Sequence, residues 1–139
     1  MNLKDITVKK LFLVIALGFF MAGCASKPVL NIEQAYVPTS QTGEHVSSES
    51  VRDAIFRAAE RRGWTPRVIE PGVIMADISV RSHTARVKIE YDDSEYSIHY
   101  VSSQNLNYKN GTIHRNYNNW VLKLSRSIQQ ELGVNSQKY

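Results

Sequence analysis

The sequence predicts a two-layer α+β domain, in which an antiparallel meander of three to four strands carries two helices on one face. Apolar residues alternate with polar ones in three successive runs between residues 74 and 100, which is typical of half-buried antiparallel strands. Before and after these runs, apolar residues recur every three to four positions and indicate two amphipathic helices. This order of elements favours two helices that cover the apolar face of a single sheet.

The first helix is predicted by an apolar stripe and by signals at both of its ends. The stripe comprises Val51, Ala54, Ile55, Ala58 and Ala59. Serines at positions 47, 48 and 50 are N-cap candidates. Gly63 follows the last turn, where a residue with positive φ commonly ends a helix.

The strands follow directly. A short strand over residues 67–70 leads to a Pro71-Gly72 turn and then to the three alternating runs. A one-residue slip between strands would move every side chain to the other face, so the last hairpin should place Ile89 opposite Ile98. The apolar positions of the three runs are Ile74, Ala76, Ile78 and Val80, then Ala85, Val87, Ile89 and Tyr91, then Tyr96, Ile98 and Tyr100.

The same registers predict a charged outer face for the sheet. Lys88 should lie opposite His99, and Asp77 should meet Arg86 or Lys88 in either register of the first hairpin. Cross-strand pairs of opposite charge contribute about 0.2–1 kcal/mol each, so this face is expected to be solvated and charge-matched.

A polar stretch with an Asn110-Gly111 turn precedes the second helix. Trp120 lies on the stripe of that helix and is expected to pack on the meander near Tyr96 or Tyr100. Gly133 should end the helix, and residues 134–139 are expected to form a C-terminal tail. The stripe comprises Tyr117, Trp120, Val121, Leu124, Ile128 and Leu132.

Residues 1–23 are predicted to be an export signal that ends just before Cys24, the only cysteine of the chain. Lysines 4, 9 and 10 precede an apolar run from Leu11 to Phe20, and Met21-Ala22-Gly23-Cys24 follows. With Met21 and Ala22 the apolar run is about 12 residues long, whereas a membrane-spanning helix needs about 20. The tetrapeptide resembles a bacterial lipobox, although Met21 stands where leucine is usual. The resemblance implies that Cys24 is acylated, and the alternative is an ordinary signal peptide.

The lipobox resemblance also implies a location. Two or three acyl chains anchor a protein stably, whereas one binds only reversibly. Ala25 stands where aspartate often retains such lipoproteins at the inner membrane, so the outer membrane, with the domain facing the periplasm, is expected. Residues 24–47 are predicted to be a lipidated tether and lead-in segment before a globular domain over residues 48–133. Within the tether, residues 29–32 and 35–37 are apolar enough to dock, as an edge strand would.

Charge and cysteine content exclude several classes. The whole chain carries a net charge of +4, and residues 1–23 contribute +2 of it through three lysines and Asp5, which leaves +2. A charge this small gives no reason to expect nucleic-acid binding. Because Cys24 is the only cysteine, no internal disulfide is possible.

The most unusual segment of the sequence lies around the start of the second helix and is rich in amides, hydroxyls and aromatic rings. One interpretation is a polar pocket or partner-binding corner, in which a helix N-terminus could favour an anion near His114 and Arg115. The other is structural, with caps, loop hydrogen bonds and core aromatics. The candidate binding residues are Ser103, Asn105, His114, Arg115, Tyr117, Asn118 and Trp120.

This segment also carries a resemblance. With Gly63-Trp64, His83 and Ile89-Glu90-Tyr91-Asp92, the segments Ser103 to Tyr108 and Ile113 to Val121 give a pattern that ends in Ile-His-x-x-Tyr-Asn-x-Trp-Val. The pattern resembles a family of small uncharacterised lipoproteins of Gram-negative bacteria. The resemblance implies a lipid-anchored α+β domain and implies no activity.

No catalytic or metal-binding pattern stands out. His83, His99 and His114 lack the close pairing that metal sites on one element show. The acidic run over residues 92–95 lacks the glycine and the terminal glutamate of a calcium loop. We therefore expect no cofactor, no metal and no enzymatic activity, and predict a membrane-anchored module that binds another envelope protein or serves envelope assembly and maintenance.

The alternative is a small-ligand-binding or hydrolytic module that uses the corner from His114 to Trp120. Open, unpaired polar atoms at His114, Asn118 and Trp120 would favour this alternative. Buried and hydrogen-bonded atoms there would favour the structural interpretation.

Overall fold

The computed structural model describes residues 25–40 and 42–133. The predictions of a signal peptide over residues 1–23, of acylation at Cys24 and of a tail over residues 134–139 lie outside the described residues. The elements are β1 (Ser26–Pro28), β2 (Ile32–Tyr36), α1 (Ser48–Arg61), β3 (Trp64–Glu70), β4 (Val73–Val80), β5 (His83–Tyr91), β6 (Glu95–Gln104), β7 (Thr112–His114) and α2 (Arg115–Glu131).

The architecture confirms the predicted α+β class. Strands β3 to β6 form the antiparallel meander, and β2 adds to its β6 edge, so the main sheet has five strands in the order β2-β6-β5-β4-β3. The fifth strand is the docked edge strand that the apolar residues before α1 predict. Strands β1 and β7 form a second, two-stranded antiparallel sheet.

The registers of the two long hairpins match the predicted ones. Ile89 pairs with Ile98, and Lys88 pairs with His99 on the opposite face. Asp77 pairs with Arg86. Apolar alternation therefore determines which face is buried, as expected for a sheet with one face in the core. The core-facing residues Ile74, Ile78, Val87, Ile89 and Ile98 are all buried.

Both helices cover the apolar face. Helix α1 begins at the N-cap Ser47, whose Oγ accepts from the Ser50 backbone N–H at 3.1 Å, and it buries its whole predicted stripe. The helix ends at Arg61, and Gly63, two residues later, has the positive φ of +81° expected after a helix C-terminus. The two helices are joined on their outer side by Glu131, whose carboxylate binds Arg57 at 2.8 Å and also Arg61.

The described part of the predicted tether and lead-in segment over residues 24–47 is folded onto the domain, including residues 29–32 and 35–37, which were expected to dock. Strand β1 pairs with β7 over three residues, with Lys27 opposite Ile113. Strand β2 pairs with β6, and Val37 beyond it is buried. The folded unit thus extends to Ser26 instead of beginning at residue 48, because these short apolar runs find hydrogen-bonding edges on which to dock.

Among residues 25–40 and 42–133, no helix is long and apolar enough to cross a bilayer.

Candidate functional site

The structure brings the predicted site residues into one region, which we call the corner: the end of β6, the loop after it, β7 and the first turns of α2. Ser103 lies on β6 and Asn105 in the loop, while the other five candidates lie at or just after the start of α2. The two groups are joined by the His114 backbone N–H, which donates to the Leu106 carbonyl at 2.8 Å. Leu106 is buried and anchors this loop in the core.

Asn118 binds the N-terminal segment with both polar atoms of its side chain. Its Oδ1 accepts from the Leu30 backbone N–H at 2.9 Å, and its Nδ2 donates to the Pro28 carbonyl at 2.8 Å. A side-chain amide has one donor side and one acceptor side, so it can serve an extended backbone as a neighbouring strand does. The amide of Asn118 is therefore occupied by the protein itself.

His114 is the N-cap residue of α2. Its Nδ1 accepts from the Asn116 backbone N–H at 3.2 Å. A nitrogen that accepts here carries no proton, so this geometry describes the neutral imidazole with its proton on Nε2. His114 satisfies one of the free N–H groups at the start of the helix, which is the structural role of a cap.

Arg115 contributes its backbone to the fold and leaves its side chain in solvent. Its N–H donates to the carbonyl of Ala25 at 2.9 Å. The side chain is exposed and forms no ion pair with any described residue. Of the two cationic candidates proposed for an anion, Arg115 is thus the one that remains available.

Asn105 joins the loop to the β4–β5 turn. It adopts a positive φ of 58°, which asparagine tolerates better than most residues. Its Nδ2 donates to the Ser82 carbonyl at 2.6 Å, and its own carbonyl lies 2.7 Å from His83 Nδ1. Because a carbonyl can only accept, the His83 Nδ1 must carry the proton. Asn105 thus joins the loop after β6 to the β4–β5 turn and to the start of β5.

An aromatic cluster lies beneath the corner. Tyr100 stacks on Tyr108 with ring centroids 4.5 Å apart, and it meets Tyr117 edge-on at 5.4 Å. The Ser103 hydroxyl lies 2.8 Å from that of Tyr100. Tyr117 is completely buried, and Tyr108 covers the cluster with 49 % of its surface exposed.

Two buried polar atoms of the described residues have no hydrogen-bond partner: the Tyr117 hydroxyl and the Trp64 Nε1. Burial raises the pKa of the Tyr117 hydroxyl well above its ordinary value, and the nearby Tyr100 adds a smaller rise. A tyrosine in this state stays protonated at any physiological pH, and it is a poor general base or nucleophile.

Trp120 packs against the core, as expected from its place on the stripe, but it is only partly buried. The residue of α2 that meets the Tyr100 ring edge-on is Tyr117, and the hydroxyl of Tyr96 lies 2.9 Å from the Ser125 Oγ of α2. Trp120 sits at the edge of the apolar stripe, since three residues of a helix turn through about 300° and leave it rotated from Tyr117.

The described residues form several surface clefts, and one of them reaches Ser103 and Gln104 at the end of β6 in the corner. A groove of about 540 Å³ opens beside the β5–β6 turn, where Glu33, Glu90 and Asp92 line it. A second, of about 430 Å³, lies between α1 and β3 and is lined by Phe56 and Val68. A third, of about 400 Å³, lies on the sheet and includes Ser103. Over the described ranges, no three His, Cys, Asp or Glu side chains are grouped so as to hold a metal ion.

Sequence reasoning missed the residues on which the corner is built. These are Ala25, Pro28 and Leu30, whose backbone groups bind Arg115 and Asn118. The apolar Val29-Leu30 pair belongs to residues 29–32, which were expected to dock, but it does not indicate which groups of the corner they would meet.

Comparison of the chain with protein-family models, with curated proteins and with solved structures finds no match. The assignment of a role therefore depends on the residues themselves. In the corner, the amides of Asn105 and Asn118 and the imidazole of His114 bind backbone groups. Among the side chains left exposed there are Lys109, Arg115 and Tyr108.

Proposed function

We propose that this chain is a lipid-anchored, non-enzymatic module of the cell envelope. It is attached to the outer membrane through acylated Cys24, faces the periplasm and binds another envelope protein during envelope assembly or maintenance. The family resemblance of the motif from Ile113 to Val121 agrees with this role. The observation that carries the proposal is the lipobox-like Met21-Ala22-Gly23-Cys24, followed at once by a folded domain.

The non-enzymatic part of the proposal is supported by the state of the corner. A hydrolytic or small-ligand site needs polar groups that converge on an open space and are free to bind. Here the Asn118 amide, the Asn105 amide and the His114 Nδ1 are all engaged with backbone groups. This favours the structural interpretation over the small-ligand alternative.

The binding part of the proposal is supported by apolar side chains at an open sheet edge. On β3, Val68 and Ile69 are 47 % and 52 % exposed, and Val68 borders the groove that Phe56 lines. Pro66 has no N–H, and the register shifts after Val68, so β3 cannot extend the sheet by a continuous added strand. We propose that an apolar segment of an envelope protein inserts side chains into this groove.

The anchor is tested by metabolic labelling with a clickable fatty acid. Wild type and Met21→Leu, which makes the lipobox more typical, should both incorporate label. Cys24→Ser should lose the label and either leave the membrane fraction or remain as an uncleaved precursor. Equal label on wild type and Cys24→Ser would show that the proposed anchor is wrong.

The partner surface is tested by crosslinking in intact cells. Val68→Lys places a charge in the lining of the groove and should abolish a discrete crosslinked adduct of the lipidated protein. The control Leu122→Lys changes another exposed apolar residue, on α2, and should retain the adduct. Loss of the adduct in His114→Ala but not in Val68→Lys would instead favour the corner as the binding site.

A further inference from the structure

We infer that one end of the domain rests directly on the bilayer and binds the anionic headgroups of its lipids. This inference rests on the proposed lipid anchor at Cys24. The surface, which we call the anchor-side end, consists of β1, the β4–β5 turn, the loop over residues 105–111 and Arg115. Its cationic side chains are Lys27, Arg81, Lys109 and Arg115.

No linker separates the proposed attachment point at Cys24 from the folded domain. The Ala25 carbonyl accepts from the Arg115 N–H at 2.9 Å, β1 pairs with β7, and the Val29 N–H donates to the Gly111 carbonyl at 2.9 Å. The Cα atoms of Cys24 and Ala25 are separated by one peptide unit, about 3.8 Å. Acyl chains on Cys24 would therefore hold this part of the domain within a few ångströms of the headgroups.

The β4–β5 turn lies at the same end of the domain as Ala25. The Asn105 side chain binds the Ser82 carbonyl at 2.6 Å, and Asn105 leads through Leu106 to the hydrogen bond with His114. Arg81, next to Ser82, therefore lies on the same side of the molecule as Ala25. The β5–β6 turn lies at the opposite end, because successive hairpin turns of an antiparallel meander alternate between its two ends.

The anchor-side end carries cationic side chains that have no acidic neighbours in the sequence. All four cationic side chains are exposed, and none forms an ion pair with a described residue. The sequence contains no Asp or Glu in residues 25–32, 78–89 or 96–130. The far turn, by contrast, carries Asp92, Asp93 and Glu95. Unpaired cations at the anchored end and carboxylates at the other match an anionic surface on one side only.

The anchor-side end also exposes apolar side chains. Tyr108 is 49 % exposed on top of Tyr100, and Val80 beside the turn is 39 % exposed. Tyrosine favours the headgroup region of a bilayer because its ring is apolar and its hydroxyl stays hydrated. An aromatic ring among unpaired cations, next to a lipid attachment point, fits a membrane surface better than a protein partner.

The experiment uses the full-length protein, acylated in cells and reconstituted into vesicles of phosphatidylcholine with about one third phosphatidylglycerol. Single probe sites are introduced by Asn116→Cys at the anchor-side end and by Asp93→Cys at the far turn; Cys24 is blocked by acylation. Each site carries a fluorophore that nitroxides on lipid headgroups quench on close approach. Quenching should be strong at position 116 and weak at position 93.

Charge is tested by the double variant Lys109→Gln with Arg115→Gln. Each basic residue near an anionic surface contributes about a fivefold gain in binding, so the ratio of docked to undocked domain should fall by about 25-fold. The matched control, Lys123→Gln with Arg126→Gln, removes two exposed cations of α2 and should leave quenching at position 116 unchanged. Neutral vesicles of phosphatidylcholine alone should lower quenching at position 116 of the wild type to the level of the Lys109→Gln, Arg115→Gln variant, because only the anchor then holds the domain near the lipid.

Flotation of the vesicles separates the two claims. If the protein floats with the vesicles but positions 116 and 93 are quenched equally, the anchor stands and the docked orientation is wrong. If both double variants lower quenching equally, the electrostatic basis is wrong. If the wild type fails to float, the proposed anchor fails, and the docked orientation fails with it.

Discussion

At the scale of single residues, the side chain of Asn118 is the clearest case of a polar group that maintains the fold. It supplies a donor to Pro28 and an acceptor to Leu30, both at normal hydrogen-bond distances. Without it, the backbone of this segment would have to find water in a half-buried position. Each polar atom of this amide already binds the backbone, so a ligand could use only the second N–H and the second lone pair.

We predict that Asn118→Ala destabilises the domain by about 1–3 kcal/mol, because two backbone groups lose their partner. Asn119→Ala is the matched control, since Asn119 is exposed and should change stability by less than about 0.5 kcal/mol. Urea unfolding of the two variants gives the comparison. Equal midpoints for both variants would show that the Asn118 amide contributes nothing to the fold.

A second prediction concerns two buried tyrosines that differ in hydrogen bonding. Tyr117→Phe removes a hydroxyl without a partner and should leave the free energy of unfolding unchanged or raise it. Tyr96→Phe removes a hydroxyl bound to Ser125 and Gln129 and should cost about 1 kcal/mol. Thermal or urea melts test the order of the two variants. A larger loss in Tyr117→Phe would mean that its hydroxyl has a partner, such as a buried water.

At the scale of elements, the two faces of the main sheet have different chemistry. The inner face presents aliphatic side chains to α1 and α2 and is buried. The outer face presents ion pairs, in which Asp77 binds Arg86 and Arg67, and His99 lies between Glu33 and Glu90. Stability should therefore respond strongly to changes on the inner face and weakly to changes on the outer face.

Ile89→Ala tests the inner face. Ile89 is completely buried, and its truncation should cost about 2–5 kcal/mol through lost apolar contact and a residual cavity. Lys88→Ala, on the next residue and the opposite face, should change the free energy of unfolding by less than about 0.5 kcal/mol. A loss below about 1 kcal/mol for Ile89→Ala in urea would contradict the assigned faces.

Asp77 tests the outer face through pH. Hydrogen bonds from Arg86, and secondarily from Arg67, hold the pKa of Asp77 below its ordinary value of 3.8 against the opposing effect of burial. The unfolded chain therefore binds this proton more readily, and the stabilisation is present above the ordinary pKa and lost as the pH falls through the folded one. Asp77→Asn should make stability less dependent on pH between about 2 and 5, whereas the control Asp93→Asn should not. Parallel acid dependence in wild type and Asp77→Asn would contradict the ion-pair assignment.

Local pattern determines most of this fold, and the sequence predicts those parts well. Alternation at Ile89 and Ile98 fixes the register because a slip would expose the core. The caps at Ser47 and Gly63 predict the limits of α1 because they depend on neighbouring residues only. Residues 29–32 were expected to dock, but their partners β7 and Asn118 were not predicted, because these contacts join residues about 90 positions apart and leave no periodic signal.

The candidate site was predicted in location but not in role. The segments that contain Ser103 and His114 do meet in space, because β6 and the start of α2 are joined at Leu106. The roles of these residues depend on which hydrogen-bond donor binds which acceptor. Distances such as those around Asn105 and Asn118 identify these pairs. A sequence gives the inventory of donors and acceptors but not their pairing.

At the scale of the whole molecule, the described domain is polarised along the meander. Exposed cations and Tyr108 lie at the end where the chain leads to Cys24, and the carboxylates of the β5–β6 turn lie at the other. The proposed anchor and the proposed partner groove at Phe56 and Val68 therefore belong to different parts of one small domain. This division would let the protein hold a partner while its basic end stays on the lipid surface.

Acylation of Cys24 underlies both the proposed location and the proposed orientation, and mass spectrometry of the protein purified from membranes measures it without an intermediate assay. We expect a mature chain that begins at Cys24 and carries the added mass of two or three fatty acyl chains on that residue. An N-terminus beyond Cys24, or a mature chain that begins at Cys24 without acyl mass, would show that the protein is not a lipoprotein.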